Sequence, residues 1–114
     1  MEIKIVRDKT SLAELMGLAQ ADFGEMVKAV VDIEKGIIAV GGEWHSDAER
    51  ILLESDSEQK DLWGINLFPA RERGQLIEFT SLINIRPRAG NRTMSIEIPE
   101  IKEKISQVVN KLFF

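Results

Sequence analysis

Few folds can accommodate residues 26–40, MVKAVVDIEKGIIAV. Val27, Ala29, Val31 and Ile33 share one face of an extended strand, while Lys28 and Asp32 lie on the other. Glu34-Lys35-Gly36 forms a turn in which glycine can adopt the left-handed conformation of a bulged hairpin. The return strand, Ile37 to Val40, is apolar at every position, so both its faces need cover and it belongs inside a sheet rather than at its edge.

The flanking segments supply the cover. Residues 2–6 alternate and read as a short leading strand. Ser11-Leu12-Ala13-Glu14 is a capping box, and Leu12, Leu15, Met16, Ala19 and Phe23 then make one helical stripe. That helix spans 11–23 and stops at Gly24. After Gly41-Gly42, a second capping box at Ser46-Asp47-Ala48-Glu49 opens a two-turn helix ending near Ser55. Leu62 to Pro69 and Leu76 to Arg86 read as a second strand pair joined by a polar segment. Trp63, Ile65 and Leu67 point one way, Gly64 and Asn66 the other; Ile77, Phe79, Ile83 and Ile85 share a face of the last strand. A final helix begins at Pro99 and carries Ile101, Ile105, Val108, Val109 and Leu112 to about residue 112.

The order is helix–hairpin, helix–hairpin, helix, with a leading strand. It predicts a single domain over residues 1–114 of α+β class: two layers, a mainly antiparallel sheet built from two hairpins, and three helices on one sheet face. Lys28, Asp32, Asn66, Thr80, Asn84 and Arg86 would occupy the opposite face.

Net charge is −4, which argues against broad nucleic-acid binding, since that relies on excess Lys and Arg. With 6% aromatics and no tyrosine, a base-stacking sheet is not expected either. Absence of cysteine removes disulfides, thiolate catalysis and Cys-ligated metals. No apolar run approaches the roughly 20 residues of a membrane span. The N-terminus lacks an apolar signal core, so a cytoplasmic location is expected.

VVDIEKGIIAVGGEWH, DLWGIN and INIRPRAGNRT together resemble a small archaeal and bacterial family catalogued as a domain of unknown function. The likeness runs from about Val27 into the last helix. It implies a compact stand-alone prokaryotic domain and carries over no activity, cofactor or site residue.

Chemistry-bearing residues concentrate in three places. Arg86, Arg88 and Arg92 lie within seven positions, interleaved with Pro87, Gly90 and Asn91. Guanidinium forks match carboxylate and phosphate oxygens, and a glycine turn lets backbone approach a ligand. Structural pairing with Glu43, Glu97 or Glu100 is the competing reading. The second place is Glu43-Trp44-His45-Ser46-Asp47. His45 titrates near neutrality and could serve as acid–base beside Glu43 or Asp47, or hydrogen-bond a turn. A lone histidine cannot build the common zinc sites, so no metal is expected. Neither Ser46 nor Ser81 has the spacing of a nucleophilic triad. The third is Gly64 with Asn66: glycine inside a strand marks close approach by another group, and Asn66 could pair with Asn84.

The leading expectation is a domain that binds an anionic small molecule or group through Arg86, Arg88, Asn91 and Arg92, helped by Asn66 and Asn84. The first alternative is a small enzyme using His45, which requires His45 and the arginine loop to share a pocket. The second is a structural or regulatory interaction module. The apolar Phe113-Phe114 end suits either core capping or a symmetric homodimer.

Overall fold

A computed structural model describes residues 1–114. Its centre is the hairpin of β2 (Val27–Asp32) and β3 (Ile37–Gly41), with Ala29 opposite Val40 and Val31 opposite Ile38. β1 (Ile3–Val6) pairs with β3, and β4 (Leu62–Leu67) pairs with β2. The short β5 (Ile77–Glu78) completes an antiparallel sheet of order β1-β3-β2-β4-β5. β3 is therefore interior, as its two apolar faces demand.

Gly36 closes the hairpin turn at φ 69°. Asp32, expected on an outer face, is 1% exposed. One of its oxygens accepts the N–H groups of Glu34 at 3.0 Å and Lys35 at 2.9 Å, and the other accepts the Ser57 hydroxyl at 2.6 Å. The carboxylate is buried because it supplies the turn's missing acceptors.

Helix α1 (Leu12–Asp22) starts as its sequence predicts: the Ser11 hydroxyl accepts the Glu14 N–H at 3.1 Å. Helix α3 (Pro99–Phe113) begins at its proline. Helix α2 (His45–Glu54) departs from the reading. It starts one residue before Ser46, so no capping box forms there; Trp44 is the N-cap and offers no side-chain hydrogen bond. Glu49, the expected partner in that box, instead faces Arg86.

The α+β class, antiparallel sheet and three helices are as expected, but the helices divide between both faces. Leu15 and Ala19 of α1 and Ile105, Val109 and Leu112 of α3 pack on Val27, Ala29, Val31, Ile38, Val40, Trp63, Ile65 and Leu67. On the other face Ala48 and Leu52 of α2 pack on Val30, Ala39 and Leu62. Burying an aliphatic side chain of this size contributes about 1.5–3 kcal/mol, so an uncovered Val30–Ala39–Leu62 patch would be costly. α2 covers only part of this face.

The last predicted strand is the main correction. Of residues 76–86 only Ile77 and Glu78 pair with β4. Thr80 instead bridges Ser95, and Leu82–Asn84 and Pro87–Ala89 form single 3-10 turns. These turns break the two-residue period. Phe79 packs on the α1–α3 side, Ile83 joins the α2 side, and Ile85 is exposed. Gly64 explains the path: a Cβ there would lie 2.6 Å from the Cβ of Ser81. The chain crosses β4 where that strand has no side chain.

Where β5 ends, Asn84 replaces a strand. Its Oδ1 accepts the Gly64 N–H and its Nδ2 donates to the Gly64 carbonyl, both at 2.8 Å. A single carboxamide thus satisfies one residue's worth of open sheet edge.

Candidate functional site

The arginine loop is tied into the fold through Asn84, Arg86 and Asn91. Asn91, fully buried, donates its amide protons among the carbonyls of Asn84, Thr93 and Ser95 at 2.8–3.0 Å. Its Oδ1 accepts the Glu97 N–H at 2.7 Å. Asn84 is likewise buried, with a further bond to the Met94 carbonyl at 3.2 Å. Both carboxamides are engaged with backbone groups, and Asn84 pairs with Gly64 rather than Asn66. Arg86 donates to the Gln59 carbonyl at 2.8 Å, lies 3.4 Å from Glu49 and stacks over the Trp63 ring at 4.8 Å. Burial lowers its pKa, opposed by the Glu49 charge. The carboxylate partner is Glu49, not Glu43, Glu97 or Glu100. Arg88 and Arg92 are exposed at the loop surface. Gly90, at φ 87°, ends the Pro87–Ala89 turn.

The more site-like feature lies on the part of the α2 face that α2 leaves open. A cleft of about 360 Å³ is lined by Lys28, Trp44, His45, Ser46, Asn66 and Thr80, with Ser81, Leu82, Ile83 and Met94 along the crossing segment. Sheet register places Lys28 opposite Asn66, and Asn66 opposite Glu78, so the three form a polar row. The Lys28 ammonium donates to the Glu43 carbonyl at 2.8 Å and sits 5.2–5.3 Å from the Trp44 and Phe23 ring centres. No carboxylate lies within 4.0 Å of it. His45, the first residue of α2, is tied to β4 through Nε2 and the Ile65 carbonyl at 2.8 Å.

Asn66 is 9% exposed. Its Nδ2 donates to Glu78 Oε1 at 2.8 Å and contacts the Thr80 carbonyl at 3.4 Å. Those two acceptors fix which end of the amide faces them. Its Oδ1 is buried and accepts no hydrogen bond, an uncommon condition for a native acceptor.

A family model described as "Protein of unknown function (DUF5674)" matches residues 4–112. The chain belongs to that family. It matches no curated protein and no solved structure. No helix of this DUF5674 domain is long and apolar enough to cross a membrane.

Within the domain, His45 and Asn66 share the cleft, but the arginine loop does not reach it. His45 faces the cleft, while Glu43 and Asp47 line a separate depression with Arg50. Arg86 and Arg88 border a third hollow. No three His, Asp or Glu side chains form a group able to hold a metal ion. The His45 pKa is lowered, chiefly by burial and further by the Lys28 charge; the Ile65 carbonyl and the Asn66 side chain act the other way. A carbonyl can only accept, so Nε2 carries the proton and the neutral ring keeps a bare Nδ1.

Sequence reading missed Lys28, Leu82 and Met94 as neighbours of His45. The Lys28–Asn66 juxtaposition depends on the pairing of β2 with β4, which no local pattern encodes. The one readable signal was Gly64, whose missing side chain lets the crossing segment form the cleft's far wall.

Proposed function

We propose that this domain binds a small organic anion, in the cleft at the start of α2. The observation that carries the reading is the positive wall of that cleft. Lys28 has no carboxylate partner there, and it stands beside a helix start whose cap residue offers no side-chain acceptor. Free N–H groups in the first turn and the helix dipole both favour negative charge. Neutral His45 adds no repulsion or attraction of its own at neutral pH. The arginine loop contributes less to this reading, because Arg86, Asn84 and Asn91 are engaged internally.

The test is an amide-resolved NMR titration with phosphate, nucleotides and small carboxylates. Expected are saturable shifts at His45, Ser46, Asn66 and Thr80, with a change in Trp44 fluorescence. Lys28→Met keeps the aliphatic stem and should weaken binding about tenfold or more, as expected for loss of a charged hydrogen-bonding partner. Shifts confined to residues 86–93 would return the site to the arginine loop. Absence of saturable shifts refutes anion binding.

A further inference from the structure

We infer that the cleft selects a carboxylic acid carrying a compact aromatic or branched apolar body, rather than phosphate, a nucleotide or a short hydrophilic acid. This rests on the anion reading above and narrows it. The features that favour negative charge, Lys28 and the α2 start, meet at one end beside the neutral His45 ring. The opposite wall is apolar: Leu82, Ile83 and Met94 face it, and Trp44 forms the lip. Leu82 is 68% exposed, Trp44 58% and Met94 41%, an unusual concentration of large apolar surface around one opening. Isolated exposed apolar residues need no explanation, but these three converge on a concavity that also holds a cation.

Such a wall rewards an apolar body and offers a nucleotide's sugar few partners. The volume, about 360 Å³, is at the low end for small-molecule sites. It suits one ring or a branched chain together with its acid group. The anionic head would sit between Lys28 and the first turn of α2, and the body would lie along Leu82 and Met94.

The probes are phenylacetate, its uncharged isostere phenylacetamide, acetate and inorganic phosphate, each titrated into the full chain by calorimetry and amide-resolved NMR. Phenylacetate should bind at least tenfold more tightly than acetate or phosphate, the scale expected for removing one face of a ring from water. It should also bind at least tenfold more tightly than phenylacetamide. Leu82→Ser, an exposed change that leaves the core intact, should weaken phenylacetate several-fold and leave acetate unchanged. Equal binding of phenylacetate, acetate and phosphate overturns the apolar-body inference while the anion site stands. Equal binding of phenylacetate and phenylacetamide overturns the anion reading itself. Binding of none of the four overturns both.

Discussion

Asn84→Ala should be the most damaging single change in the irregular half of the chain. The side chain is completely buried and makes three hydrogen bonds: two with the Gly64 backbone at 2.8 Å and one to the Met94 carbonyl at 3.2 Å. Truncation leaves the Gly64 N–H and carbonyl without partners at a sheet edge that no strand covers. Each buried orphan costs about 1–3 kcal/mol, and a water entering the vacated space offsets part of the second, so the loss should be about 3–4 kcal/mol. Against a typical total of about 5–15 kcal/mol, that removes a large fraction of the stability. In urea, with a slope of about 1.5 kcal/mol/M, the midpoint should fall by about 2 M with the slope unchanged. Asn84→Asp sharpens the test. It keeps an acceptor for the Gly64 N–H but turns an oxygen toward the Gly64 and Met94 carbonyls. It should therefore be as damaging at pH 7 and recover partly in acid, where the protonated carboxyl can donate. A loss below about 1 kcal/mol for Asn84→Ala, the range of ordinary surface changes, would refute the idea that this carboxamide stands in for a strand.

Gly64→Ala should cost about 1–3 kcal/mol through overpacking, because the new methyl would meet Ser81 at 2.6 Å; a melt equal to that of the parent protein would show that the crossing segment gives way freely. Arg86→Ala should destabilise measurably through loss of its Gln59 and Glu49 contacts, whereas Arg88→Ala should stay within about 0.5 kcal/mol, and equal effects would contradict the division of the loop into internal and exposed arginines. His45 should titrate below its ordinary value of 6.5 when followed by NMR. In the folded state it binds fewer protons than in the unfolded state between the lowered pKa and 6.5, so stability should fall as pH drops through that window. His45→Gln should flatten that part of the stability profile; an unchanged slope would place the cause elsewhere.

Local patterns carried the regular half of the molecule well. The Val27–Val40 hairpin, the Ser11 cap and the Pro99 helix start each depend on neighbours a few residues apart, and each stands where the pattern put it. The second half failed at Ser81. Alternation through Ile77, Phe79, Ile83 and Ile85 imitates a strand, yet the segment gains more by crossing over Gly64 and closing its edge with Asn84. That choice is made by residues about 20 positions away and leaves no trace in the period. The same holds for the helix layers. Val30 and Ala39 require cover, but only the three-dimensional path assigns α2 to them and α1 and α3 to the other face. For the candidate site, residue type suggested ligand chemistry at Asn84 and Asn91, whose carboxamides the fold uses to satisfy backbone groups. Buried asparagine and ligand-reading asparagine look alike in one sequence, since both supply a donor and an acceptor to groups that local neighbours do not provide.

The arginine loop has one more consequence. Its base is closed by mutual backbone bonds between Arg86 and Asn91, at 2.7 and 3.1 Å, and is anchored below by the Asn91 side chain. Residues 87–90 stand clear of that clasp, exposed to solvent. The tip is thus insulated from the rest of the molecule, and chain added between Arg88 and Gly90 should be carried like a flag on a pole. An epitope or a small folded domain could be displayed there, with the cleft and both cores undisturbed.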